Sequence, residues 1–203
     1  MRIFVAGATG AVGQYLVPAL VAAGHSVIGT TRSAAKTDLV RRLGAEPVVA
    51  DGLDADSMRA AVIAAKPNAV IHQMTDLAAA TDLRHFDRAF KRTNELRTRG
   101  TDILLNAARE AGAKRFIAQS FCGWTFSRAG GTVKIETDEL DSNPPRELRR
   151  TLEAIRYLEQ NHHRFDEAGG HRAALWILLW TRHRHALAGD DRPAAPPACA
   201  GDR

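Results

Sequence analysis

Cysteine is scarce: Cys122 and Cys199 are the only two in the chain. Met1-Arg2 runs straight into a strand-like stretch with no export signal ahead of it, so these read as reduced thiols and the expected compartment is the cytoplasm. No apolar run approaches the roughly 20 residues that cross a bilayer, and no membrane partner is expected. Concentrated charge is missing as well. The formal net charge is +5 and scattered, and no basic stripe carries interleaved aromatics, which argues against nucleic acid as a partner. What remains is 203 residues, 45% hydrophobic and 25% charged. That is enough for one domain with a real core and too little for two full ones.

Up to about residue 160, strand-like and helical patterns alternate, the mark of a parallel α/β sheet. Strands are expected at Ile3–Ala6, His25–Gly29, Pro47–Ala50, Ala69–His72 and Arg115–Ala118. Helices are expected at Val12–Ala23, where Pro18 should bend or loosen the turn, at Ser57–Ala65, and through Thr101–Ala108. A further one, Arg146–Gln160, follows the turn Asn143-Pro144-Pro145. No segment repeats.

Between the first strand and the first helix stands Gly7-Ala8-Thr9-Gly10-Ala11-Val12-Gly13. A lone G-x-x-G-x-x-G means little, but here a strand precedes it and a helix follows. The first glycine permits a tight turn, the second lets a pyrophosphate approach the backbone, and the third lets helix and sheet pack closely. The helix N-terminus then offers N–H groups and partial positive charge to phosphates. The expected fold is therefore α/β, a doubly wound parallel sheet of the Rossmann type binding NAD(H) or NADP(H).

At these residues the chain resembles the extended short-chain dehydrogenases/reductases, the NAD-dependent epimerase/dehydratase family, with Ala6 where that family has its first threonine. The likeness continues in order over about residues 1–160. Asp51 matches the acidic residue that contacts adenine. Ile71-His72-Gln73-Met74 matches the V-x-H-x-A stretch beside the cofactor, and Thr93-Asn94 with Gly100-Thr101 the N…G-T segment. Ala113-Lys114-Arg115-Phe116-Ile117-Ala118-Gln119-Ser120 matches the strand that ends in a catalytic-site serine. The resemblance implies cofactor contacts at Gly7 through Gly13, Asp51, His72, Gln73 and Asn94, and it places Ser120 at the substrate carbonyl. It implies hydride transfer on a sugar-nucleotide or small carbonyl/alcohol substrate, with a second copy of the chain as the one protein partner. The second strand runs into Thr30-Thr31-Arg32-Ser33 without the carboxylate that NAD-binders use for the ribose hydroxyls. Arg32 is suited to a 2′-phosphate, so NADP is the expected cofactor, with NAD as the alternative.

The pattern breaks where catalysis should follow. Members that do chemistry carry Y-x-x-x-K, the tyrosine as acid/base and the lysine lowering its pKa. Aligning their later glutamate with Glu159 puts Thr151 and Ile155 at those positions. Tyr157 is followed four residues on by Asn161, Lys134 lies too far upstream to share its face, and Trp124 stands near the family's Tyr-Gly turn. A non-catalytic NADP sensor and an inactive truncated product are the rival readings.

Beyond Asn161 there is no Val, Lys or Met, yet this stretch holds five of eight histidines and two of three tryptophans. The resemblance calls next for L-R-Y-G-x-x-Y-G-P-G. Tryptophan has a single codon, TGG, so a frame read one nucleotide later must give glycine at Trp176 and at Trp180. The neighbouring codons admit L-R-Y-G-F-F-Y-G-P-G-T-G, with only the two glycines forced. Residues 161–203 are accordingly expected to be a poorly ordered, out-of-frame tail, leaving the sheet one strand short and the fold without a substrate domain. The other readings are a native tail, or a metal or anion site built from His162, His163, His171, His183 and His185. No carboxylates or cysteines accompany these histidines in a defined pattern, and no metal is expected.

Overall fold

The computed structural model describes residues 1–77, 86–121, 124–127, 130, 134–135, 138–163, 165 and 175–178. Chain order is β1 (Arg2–Ala6), α1 (Gly13–Ala22), β2 (Ser26–Thr31), α2 (Thr37–Arg42), β3 (Glu46–Val49), α3 (Ala55–Ala65) and β4 (Ala69–His72). Then come α4 (Phe86–Ala89), α5 (Lys91–Arg97), α6 (Arg99–Glu110), β5 (Arg115–Phe121), α7 (Arg149–His163) and β6 (Leu175–Leu178). The strands form one parallel sheet in the order β3-β2-β1-β4-β5-β6.

Alternation along the strands builds two cores. Ile3 and Val5 of β1 and Val27 of β2 pack against Val17 of α1 and Val40 of α2. Phe4 and Ala6, with Ile28, Val70, Phe116 and Ala118, turn the other way onto Met58 and Val62 of α3, Leu104 and Leu105 of α6, and Leu158 of α7. With both faces covered, β1 and β4 are apolar between their polar end residues Arg2 and His72, and the 2-residue period is visible only in which core each side chain joins. Local chemistry sets the helix ends. Asp54 accepts from the N–H groups of Asp56 and Ser57 at 3.1 and 3.2 Å to start α3, and Lys66 ends it in the left-handed region at φ 44°. Helix α1 runs on through Pro18, whose ring is exposed. Among the described residues no helix is long and apolar enough to cross a membrane.

The expected strands and helices are all present. β2 and β5 run on to Thr31 and Phe121, past the sequence-based ends, and α2, α4 and α5 come in addition. The boundary at residue 160 falls inside α7, which continues to His163 because Asn161 is buried and bonds back to Tyr157 O at 2.8 Å. Phe165 follows, buried 5.7 Å from the Phe116 ring. The expectation of a sheet one strand short is corrected: Leu175–Leu178 pairs in parallel with Ala118–Phe121 as β6. The rest of the expected tail lies outside the described residues, as do His171, His183 and His185.

From β1 the chain builds β2 and β3 on one side, then crosses to β4 and β5 on the other. The reversal opens a crevice at the carboxyl ends of β1 and β4, where doubly wound sheets take ligands.

Candidate functional site

The glycine loop lies in that crevice, and each glycine is needed for a different reason. Gly7 has φ +95°, and a Cβ there would sit 2.7 Å from the backbone oxygen of Gln73. Its N–H donates to Thr30 Oγ1 at 3.0 Å, and Ala8 N–H donates to Thr30 O at 3.2 Å, so β2 holds the loop from one side while β4 crowds it from the other. At Gly13 a Cβ would meet Ala8 O at 2.5 Å and Gly7 O at 2.6 Å. Gly10 is different: it is exposed, and a Cβ would meet only Gly7 O, at 3.3 Å. The space beside Gly10 is open to a ligand. Thr9 contributes its carbonyl, which accepts from Gln14 Nε2 at 3.2 Å, while Ala11 is exposed and Val12 half-buried. Val12 is the N-cap of α1 and makes no side-chain cap, and the first turn holds no acidic residue. The positive end of this helix dipole thus faces the crevice without a counter-charge from its own helix. Gln73, at the end of β4, adds a buried Oε1 with no hydrogen-bond partner. An uncapped helix start and an open glycine in one crevice fit a dinucleotide's pyrophosphate, while the Gln73 oxygen, an acceptor, suits a donor such as a ribose hydroxyl.

Arg32 and Asp51 come together at the far end of β2 and β3 through two residues that sequence reasoning missed, Asp76 and Arg92. Arg32 pairs with Asp76 at 3.3 Å. Asp51 accepts from Leu53 N at 3.0 Å and pairs with Arg92 at 2.8 Å. Gly29 was missed as well; a Cβ there would lie 2.7 Å from Ala8 Cβ, so it is what lets the loop rest on β2.

His72 is 2% exposed and faces the core. Its Nε2–H donates to Leu96 O at 3.2 Å, and Nδ1 accepts from Met74 N–H at 3.2 Å. The ring ties β4 to α5 and shapes the crevice through the backbone. Burial pushes its pKa down to about 4, with the Leu96 carbonyl pulling the other way. An unfolded chain takes up the proton near pH 6.5, and the fold resists until about 4. Stability is therefore full above about pH 6.5 and declines by up to about 3 kcal/mol as the pH falls toward about 4. Urea denaturation from neutral pH down to about 4.5 checks this: His72→Gln should flatten the profile, and an unchanged slope would refute it.

Asn94 Nδ2 donates to Thr151 Oγ1 at 2.9 Å, and its buried Oδ1 has no partner. Thr151 in turn donates from both N–H and hydroxyl to Asp87 Oδ1 at 3.1 Å. Ser120 shares the face of β5 with Phe116 and Ala118, which puts it under α7. It is 2% exposed, and its hydroxyl donates to Glu159. Behind Glu159 lies Arg97, only 4% exposed and with Nη1 unpartnered. Burial lowers its pKa to about 10 while Glu159 raises it. Neither Arg97 nor Glu159 announced a function in sequence. Thr151 and Ile155 are 1% and 0% exposed, so the two positions where the resemblance would put an acid/base pair are packed inside.

A glycine cradle under an uncapped helix, at the switch point of a doubly wound parallel sheet, defines a dinucleotide-binding α/β domain. The chain belongs to the NAD(P)H-binding family, which matches residues 7–165. It is 47% identical over 120 residues to a 3-diazoavenalumate denitrifying reductase of Streptomyces, covering 59% of this chain and 38% of that one. It is 34% identical over 146 residues to a 4-hydroxy-2-methyl-3-oxo-4-farnesyl-3,4-dihydroquinoline-1-oxide ketoreductase of Stigmatella aurantiaca, covering 72% and 40%. The fold is shared with the UDP-glucose 4-epimerase of Thermus thermophilus, solved with NAD, at 21% identity and TM-score 0.66 over 86% of this chain and 54% of that one. The chain thus spans about two fifths of these curated relatives and about half of that solved chain.

Proposed function

We propose that the chain is the NADP(H)-holding part of an oxidoreductase acting on a small carbonyl or alcohol, or on a sugar nucleotide. The observation that carries this is the Gly7–Gly13 cradle beneath the uncapped start of α1, with Arg32 rather than a carboxylate at the end of β2. When bound, a nicotinamide gives or takes hydride. The chain's part is to seat the pyrophosphate on Gly10 to Gly13 and the adenosine ribose near Arg32, with Asp51 toward the adenine. The names of the two curated relatives, a denitrifying reductase and a ketoreductase, favour reduction over epimerisation, and the second of them names a ketone. Ser120 reaches a substrate in this reading only by leaving Glu159.

Burial of Thr151 and Ile155 favours a second reading, a protein that senses NADP(H) without consuming it. General acid/base help is worth about 10² to 10⁴ in rate. A sensor would bind cofactor yet leave it unchanged across a panel of carbonyls and sugar nucleotides. We also hold that the frame is lost between the codons for Gln160 and Gly170, so that the tail beyond is read out of frame. The shifted L-R-Y-G would overlap β6, so a repaired frame keeps that strand's place and changes its side chains. Sequencing the gene across the codons for Gln160 to Gly170 decides this.

Calorimetric titration with NADPH and NADH tests the cofactor assignment. NADPH should bind more tightly, and Arg32→Ala should narrow the gap by about fivefold, the scale of one exposed ion pair. Equal affinities in the unmodified protein would refute it.

A further inference from the structure

Arg32 follows β2, and Asp76 lies four residues beyond β4. Because β2 and β4 flank β1 on opposite sides, their 3.3 Å ion pair spans the end of β1, where the glycine loop begins. The two partners are not equally free. Asp76 is fixed from below, its N–H donating to Thr93 Oγ1 at 3.0 Å, and its side chain is 18% exposed against 52% for Arg32. Its other carboxylate oxygen lies 3.4 Å from Arg92 Nε, an ion pair without hydrogen-bond alignment. Arg92 reaches past it to grip both carboxylate oxygens of Asp51, at 3.1 and 2.8 Å. Two cations and two carboxylates thus alternate along the crevice wall and cancel.

We infer that Asp76 tunes the choice of cofactor, pairing with Arg32 so as to weaken the hold on NADP(H) while leaving NAD(H) unaffected. This rests on the reading that the glycine loop holds a dinucleotide with its adenosine end toward Arg32. A 2′-phosphate brings close to two negative charges at neutral pH. Arg32 meets Asp76 through Nη2 alone, so a phosphate can take the remaining guanidinium donors, but only beside the Asp76 carboxylate. That carboxylate, whose backbone is tethered to Thr93, stays near enough to repel it. An unphosphorylated ribose carries no charge and leaves the Arg32–Asp76 pair standing. Removing the charge at residue 76 therefore favours one cofactor and not the other. The carboxylate that the second strand lacks is supplied from the end of the fourth, where no local pattern on β2 reveals it.

The test is calorimetric titration of NADPH and NADH into the unmodified chain, Asp76→Asn, Arg32→Ala and the double variant. Asp76→Ser serves as a second neutral replacement, and thermal melts confirm that each variant is folded. Asp76→Asn should tighten NADPH about fivefold and leave NADH within about twofold, and the gain should vanish in the Arg32→Ala background. Equal tightening of both cofactors would mean that the ion pair only blocks entry, and would overturn the inference. So would unchanged or weaker NADPH binding by both neutral variants, or a gain that survives without Arg32. In each of those cases the dinucleotide site itself stands. Binding of neither cofactor by the unmodified chain would bring down the site and the inference together.

Discussion

Gly13→Ala should disrupt both fold and cofactor binding, whereas Gly10→Ala should spare the fold and lose the cofactor. At Gly13 the new methyl would lie 2.5 and 2.6 Å from two backbone oxygens, Ala8 O and Gly7 O. Backbone cannot swing aside as a long side chain does, so β1 and α1 would have to separate, at about 3 kcal/mol, the upper end of overpacking penalties. Gly7→Ala should be comparable, adding the strain of φ +95° to a 2.7 Å clash with Gln73 O. At Gly10 the one near neighbour is Gly7 O at 3.3 Å, a fit that a shift of a few tenths of an ångström relieves. Its methyl would instead fill the space left for the pyrophosphate, and NADPH affinity should fall by tenfold or more, about 1.4 kcal/mol. Denaturant titration and calorimetry on the three variants separate the effects. A Gly10→Ala protein that binds NADPH normally would show that the phosphates lie elsewhere.

That split follows closely from the sequence, because the loop's spacing and its place between strand and helix are local facts. The central strands were legible for the same reason: an apolar run such as Ile3–Ala6, bounded by turn residues, has few alternatives. α2 was harder, since six residues with one buried side chain, Val40, carry too little periodicity. α4 and α5 are short polar stretches near the site, and Thr93, Leu96 and Arg97 of α5 are buried because α7 and α6 pack against that helix. The residues that charge the crevice, Asp76 and Arg92, sit 41 to 44 positions from their partners Arg32 and Asp51. No spacing rule connects such pairs; the parallel sheet order brings them together. Ser120 shows the converse. Its place at the end of β5 was legible, but its hydroxyl's partner on α7, Glu159, follows from the packing of helix on strand.

Glu159→Gln should destabilise the fold by about 1–2 kcal/mol while leaving its hydrogen bond with Ser120 formable. The reason is Arg97, which lies 4% exposed with an unpartnered Nη1. Even with burial lowering its pKa to about 10, the guanidinium is charged at neutral pH, and Glu159 supports that charge. Glutamine keeps an oxygen to accept from the serine and removes only the negative charge, so Arg97 would be left buried without its counter-ion. Glu159 acts on Arg97 at longer range than a contacting ion pair and is half-buried, so the loss stays below the roughly 3–5 kcal/mol of breaking a direct buried pair. Arg97→Met in the Glu159→Gln background should recover part of the loss, since the stranded charge goes with the arginine. Urea denaturation of the two single variants and the double gives the coupling. A Glu159→Gln protein within about 0.5 kcal/mol of the parent, or a double variant whose losses simply add, would mean that Arg97 is balanced by another group. Glu159 would then be released from a structural duty, and Ser120 with it, to serve a substrate in the crevice.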